Sequence, residues 1–182
     1  MTQNRRKCYR IVLWCLLAAM LVFIFAMSAQ SSVESDSTSG QVIIWLLRIF
    51  RSDYDSLALD TQTDLVLAWQ STVRTLAHFS EYALLGLLAR LLIAQYDCKH
   101  TLLVPWLGAV LYAGTDEIHQ IFVPGRICDV QDLCVDASGA LLGIGAAVVI
   151  VRLVRKWREK RALAHTLTDN RAFSRCGCVA RC

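Results

Sequence analysis

The sequence predicts an all-α membrane protein: a bundle of four transmembrane helices, N-in/C-in, with a short interfacial helix in its first outer segment. Three observations predict it. The 182 residues are 55% hydrophobic and only 19% charged, more apolar than a soluble domain usually is. Mean hydropathy is correspondingly positive, at +0.44. The apolar residues are gathered into four runs rather than spread with an amphipathic period, and the basic residues collect at alternate ends of those runs.

The first run is Ile11 to Ala26, preceded by Arg5, Arg6, Lys7 and Arg10. A signal peptide also begins with a basic stretch and an apolar core. Here the core is long and "MSAQS" is a mediocre cleavage site, so an uncleaved anchor is expected. The second run is Thr75 to Tyr96, apolar after its first third except for Arg90. The third is Leu102 to Val123, and the fourth is Leu133 to Val154. Small residues in the fourth (Ala137, Ser138, Gly139, Gly143, Gly145) would permit close helix packing.

Orientation follows from the basic residues. Those before the first run, Lys99 with Arg90, and the group from Arg152 to Arg161 fall on one side if four helices cross. That side is expected to be the cytoplasm. The chain then divides into a basic cytoplasmic N-terminus (1–10), a membrane domain (11–154) with an outer segment (28–73), and a basic cysteine-containing tail (155–182). Within the outer segment, "SSVESDSTSG" reads as polar and flexible. "QVIIWLLRIF" is too short to span and reads as an interfacial or packed-over helix. "RSDYDSLALDTQTD" reads as a polar loop with a helix start. The basic residues are explained by orientation, which argues against a nucleic-acid partner. The eight cysteines form no disulfide framework. Cys176, Cys178 and Cys182 could bind a metal or be lipidated, but a disordered tail with reduced thiols is the simpler expectation.

On this topology, polar residues distant in sequence meet at the outer ends. Gln30 follows the first run; His78 and Glu81 start the second. Asp116, Glu117, His119 and Gln120 end the third, and Asp132 and Asp136 start the fourth. Residues three or four apart share a helical face. His78 therefore aligns with Glu81 and Tyr82, and Asp116 with His119 and Gln120. Asp129, Asp132 and Asp136 form a stripe if the fourth helix starts early enough, although Asp129 alone reads best as a solvated residue. In "VPGR", Pro124 ends the helix and Gly125 permits a tight bend. Arg126 would then return over the acidic cluster, suited to a phosphate or carboxylate, or pair with a local Asp.

The pieces "FAMSAQSS", "RTLAHFSEYALLGLLAR", "YAGTDEIHQIFVPGR" and "DVQDLCVDASGALLG" run in order across nearly the whole membrane portion. Together they resemble the VanZ-like membrane proteins, a family named for a teicoplanin-resistance accessory protein. The third piece is the most specific. The resemblance places the family pattern on Ser28, Gln30, His78, Glu81, Tyr82, Asp116, Glu117, His119, Gln120, Pro124, Gly125, Arg126, Asp129, Asp132, Asp136 and Gly139. One departure is that family members often carry Lys just before the Ala-His pair. Here Thr75 and Leu76 stand there, and Arg74 is displaced by one or two positions.

The expected function is that of a multi-pass protein of the bacterial plasma membrane with a polar site at its outer face. It would act on, or bind, a cell-envelope lipid or lipid-linked precursor. His119 with Glu117 or Asp116 would form an acid/base set, joined by His78 and Glu81. Arg126, Gln120, Gln30, Asp132 and Asp136 would contact the ligand. A divalent metal held by histidines and carboxylates of neighbouring helices is a further expectation, without a dedicated motif such as His-Glu-x-x-His. A non-enzymatic binding protein that alters envelope properties or glycopeptide susceptibility is the alternative. A transporter fits less well, because four helices show no inverted repeat and the charges occupy one end only.

Overall fold

The computed structural model describes residues 3–96 and 98–177. Among them there are five α-helices and no strand: α1 (Gln3–Ser28), α2 (Ser32–Phe50), α3 (Leu59–Ile93), α4 (Leu103–Gln120) and α5 (Val130–Gly177). A single 3₁₀ turn, Tyr54–Ser56, lies between α2 and α3. Three helical stretches are long and apolar enough to cross a membrane: α1, α3 and Val130–Arg161 of α5. The third apolar run gives a shorter helix than expected. α4 has 18 residues, and four of its last five positions are Asp116, Glu117, His119 and Gln120.

The outer segment departs most from expectation. The stretch predicted to be flexible is the first half of a continuous helix. Ser31 and Glu34 form a reciprocal capping box at its start. The Ser31 N–H donates to the Glu34 carboxylate at 2.9 Å and the Glu34 N–H to the Ser31 hydroxyl at 3.3 Å. The Ser31 backbone N–H, and secondarily its hydroxyl, hold that carboxyl below its ordinary range. Thr38 and Ser39 turn their hydroxyls onto the carbonyls of Glu34 and Ser35, four residues back. Gln70 of α3 donates to the Asp36 carbonyl, the Asp36 carboxylate and the Ser39 hydroxyl. A polar sequence that would be a poor helix alone is thus fixed by its neighbour. α3 likewise begins at Leu59 rather than near Thr75, so the second part of the predicted polar loop, from Leu59 to Asp64, is its first turns. The Gln62 side chain reaches back to the carbonyls of Tyr54 and Leu57 and ties down that start.

The tail differs too. α5 runs unbroken to Gly177, because no Gly or Pro interrupts the chain from Ala146 until that residue. Arg155 pairs with Glu159 at 3.1 Å, and the Arg161 guanidinium lies over the Trp157 ring. The metal and lipidation readings of Cys176, Cys178 and Cys182 rest on side chains outside what the structure describes. Cys8, Cys15, Cys98, Cys128 and Cys134 are all free thiols.

The largest interface is α3 against α5, and glycines make it. A Cβ on Gly139 would strike the Phe79 carbonyl, one on Gly143 the Ala83 carbonyl, and one on Gly86 the Ala140 backbone. Gly139 with Phe79 and Gly143 with Ala83 advance together, so the two helices are parallel. In lipid no hydrophobic force drives helices together, and close approach of small residues supplies the contact instead. α1 runs antiparallel to α3. Arg10 donates to the Gln95 carbonyl and stacks on Tyr96, while the Trp14 indole donates to the Tyr96 hydroxyl. α4 lies along α1, with the Tyr112 hydroxyl donating to the Leu21 carbonyl at 2.6 Å. The shared core holds Met20, Ile24, Tyr82, Leu85, Ala109, Ala113 and Ala140.

Gly143→Leu should separate α3 from α5, because the obstacle is backbone. The expected overpacking cost is about 1–3 kcal/mol, with loss of folded protein in membranes. A methyl group on Gly145 would meet nothing within 4 Å, so Gly145→Ala should leave the melting temperature in detergent nearly unchanged. Equal behaviour of the two variants would contradict the glycine contact.

Candidate functional site

Three helices deliver polar groups to one level. On α3, Arg74, His78 and Glu81 are spaced i, i+4, i+7 and form a stripe. On α4, Asp116, Glu117 and Gln120 are buried, at 3%, 3% and 1% exposure. On α5, Asp136 is completely buried. The α3–α5 glycine contact sets the approach of the last pair. Phe79 faces Gly139, and one residue earlier His78 Nδ1 stands 3.5 Å from Asp136 Oδ1. Tyr82, also fully buried, lies one turn further along α3.

A cavity of about 180 Å³ opens beside this cluster. Its polar wall includes Ser28 and Gln30 after α1, Ser35, Thr38 and Ser39 of α2, Arg74, His78 and Glu81 of α3, Asp116 of α4, and Arg126. Several buried polar atoms around it have no hydrogen-bond partner among the described residues. They include Ser28 Oγ, His78 Nδ1, Asp116 Oδ1 and both carboxylate oxygens of Asp136. Buried polar groups are ordinarily paired, so this concentration marks the region as costly.

The sequence-predicted residues divide into two sets. His78, Glu81, Asp116, Gln30 and Arg126 line the cavity, with Asp136 behind His78. Glu117, His119, Gln120 and Asp132 do not line it. Glu117 Oε2 accepts the Asp129 backbone N–H at 2.9 Å, which ties the end of α4 to the start of α5. His119 sets its ring edge-on to Phe25 of α1, with centroids 4.6 Å apart. Gln120 donates to Asp116 Oδ2 at 3.4 Å. Asp129 is not on the α5 stripe: it precedes the helix, and its carboxylate accepts the Gln131 N–H at 2.8 Å. Among the described residues, no group of three or more His, Cys, Asp or Glu is disposed to hold a metal ion. The histidines and carboxylates that could have held a divalent metal do not form such a group among the described residues.

The "VPGR" turn is built as its residues require. Gly125 has φ +77°, and the Arg126 N–H donates to the Val123 carbonyl at 3.1 Å. The turn seats on the α1–α2 junction, where Ser32 N–H donates to the Pro124 carbonyl at 3.2 Å. Arg126 Nε then donates to the Gln30 carbonyl at 3.3 Å. Burial, and next the Arg74 guanidinium, pull Arg126 below the ordinary arginine range. Arg74 is the charged cavity residue that sequence reasoning missed, alongside Ser35, Thr38 and Ser39 of α2. Its signal is present in the sequence, as it stands four residues before His78 on the same face.

With this geometry in view, comparison with known proteins decides the family. The VanZ/LLP1 family model matches residues 13–152. The chain belongs to the VanZ/LLP1 family. The match takes in α1 through most of the apolar part of α5, and with it every residue of the polar cluster. No curated protein and no solved structure matches the chain. Family membership and the apolar helices together make it a membrane protein.

Gly125→Ala should destabilise the turn by roughly 1–2 kcal/mol from the positive φ alone. A methyl would also collide with the Ser32 hydroxyl. Adding Ser32→Ala should recover part of the loss, because only the collision is relieved. Thermal unfolding of the purified single and double variants reads both effects; a wild-type melting curve for Gly125→Ala would refute the turn's role.

Proposed function

We propose that this VanZ/LLP1 protein is a multi-pass protein of the bacterial plasma membrane in which α1, α3, α4 and α5 all cross, with both ends in the cytoplasm. At its outer face the cavity receives the polar head of an envelope lipid or lipid-linked precursor. The helix directions support the topology. α1 is antiparallel to α3, and α3 is parallel to α5, so Arg5 to Arg10, Arg90 with Lys99, and Arg152 to Arg161 gather at one end. Lys/Arg-rich ends belong to the cytoplasm. An 18-residue α4 is roughly 27 Å long, close to the hydrocarbon thickness of about 30 Å.

The observation that carries the functional reading is the convergence of His78, Glu81, Asp116 and Arg126 on one cavity from α3, α4 and the turn after α4. Leaving a buried polar group without a hydrogen-bond partner costs about 1–3 kcal/mol, and several atoms of this cluster have none among the described residues. Close packing of small residues and interhelical hydrogen bonds return about 1 kcal/mol each. Stability therefore does not account for the cluster, and ligand recognition does. His78, backed by Asp136, is the better placed proton carrier, since His119 packs on Phe25. The second reading, binding without turnover, draws on the engagement of Glu117 by the Asp129 backbone, which removes one member of the expected acid/base set.

Two measurements test this. A reporter fused after Ser52 should be active outside the membrane, and one fused after Arg161 inside; the opposite pattern at either site overturns the topology. Wild-type protein purified with its native lipids should carry a defined envelope lipid by mass spectrometry. His78→Ala and Asp116→Asn should lose that lipid while keeping membrane abundance. Absence of bound lipid in the wild type, or loss of the variant proteins themselves, would leave a structural polar network in place of a site. Conversion of the lipid by the wild type but not by His78→Ala would separate an enzyme from a binder.

A further inference from the structure

We propose that Arg74 and Arg126 together form a phosphate-binding clamp at the outer tier of the cavity. This rests on the lipid-headgroup reading above and names the group that enters first: the phosphate of the ligand.

The cavity is arranged in two tiers along α3. Arg74 lies one turn before His78, and two before Glu81, on the same face. Arg126, on the "VPGR" turn, lines the same cavity, near enough for the Arg74 charge to act on it. The inner tier is therefore His78, Glu81 and Asp116, with Asp136 behind. The outer tier holds two guanidiniums with Ser35 and Ser39 of α2.

Like charges are brought together here without full neutralisation. Among the described residues Arg126 makes no ion pair, and its one side-chain hydrogen bond goes through Nε to the Gln30 carbonyl. That leaves its terminal nitrogens as donors. Arg74 pairs through one terminal nitrogen with Asp36, whose side chain is half exposed at the rim. Arg74 Nε is buried and without a partner. Two guanidiniums presenting several free donors suit a tetrahedral oxyanion, which can accept from both at once. The acidic inner tier would repel such an anion, so the clamp also fixes how far it enters.

The alternative for Arg74 is purely structural, docking α2 onto α3 through Asp36. Asp36→Asn separates the two readings, since it breaks the ion pair but frees the guanidinium. The probes are phosphatidylglycerol in nanodiscs, diacylglycerol in otherwise identical nanodiscs, and inorganic phosphate, each added to the purified full chain. Phosphatidylglycerol should bind, and Arg74→Gln and Arg126→Gln should each weaken it by roughly tenfold or more. Asp36→Asn should bind as well as wild type or better. Diacylglycerol should bind weakly and be indifferent to both arginines. Inorganic phosphate competing in an arginine-dependent way identifies the phosphate itself as the recognised group, whether it arrives on a lipid or free. Wild-type affinity in the Arg74→Gln, Arg126→Gln double variant overturns the clamp. So does an Asp36→Asn loss equal to that of Arg74→Gln. If the native lipid is still lost on His78→Ala while the arginine variants retain it, the clamp fails and the headgroup reading stands. If no lipid binds at all, both fail.

Discussion

The carbonyl oxygens of Phe79 and Ala83 occupy the places where side chains on Gly139 and Gly143 would have to be. No other contact in the molecule constrains as much. It holds two parallel helices closer than any larger residue would allow, and it fixes their register to within one residue. Parallel neighbours require the chain to come back between them, and α4 makes that return. α1 is then placed by antiparallel contact with α3, where Arg10 and Trp14 meet Gln95 and Tyr96. The order of the bundle follows from a contact between backbones.

The same register creates the chemistry. His78 is one residue before Phe79, and Asp136 lies three before Gly139. Closing the glycine contact therefore carries an imidazole and a carboxylate to within 3.5 Å in a position with no exposure on the acid's side. Neither atom has a hydrogen-bond partner. The helices cannot move apart to solvate them without giving up the packing that joins the bundle. Strain at a polar site and tightness at an apolar interface are thus two ends of one lever, separated by about one helical turn.

Much of this was legible from sequence because lipid imposes long, uninterrupted signals. Run lengths gave the three long apolar helices, and spacing of three or four gave His78 with Glu81 and Asp116 with Gln120. The small residues of the fourth run pointed to close packing, which Gly139 and Gly143 carry out. The outer segment was not legible for a physical reason. Ser32 to Gly40 has weak intrinsic helix propensity, and its helix depends on a cap at Ser31 and on Gln70, 34 residues beyond the Asp36 carbonyl it holds. Spacing also placed His119 beside Asp116 without saying which face a neighbour would cover. Phe25 of α1 covers it, and no local pattern encodes that. Arg74 is hidden by its offset from the family pattern, and only its own helical face reveals it.

The two ends of the cavity have different structural origins, and this bears on how it can work. The acidic inner tier is carried by α3, α4 and α5, inside the bundle, where movement is resisted by the glycine contact. The outer tier depends on α2 and the "VPGR" turn, which meet each other at Ser32 and Pro124. α2 touches the bundle chiefly through α3, by polar contacts from Asp36 and Ser39 in its first half and by apolar contact further on, where Ile43 is buried and Gly40 faces Val66. Polar contacts between partly exposed groups are individually weak, on the order of 1 kcal/mol. On the proposed reading, a ligand's polar head would be positioned by the turn carrying Arg126, and what lies beyond it by His78 and its buried carboxylate.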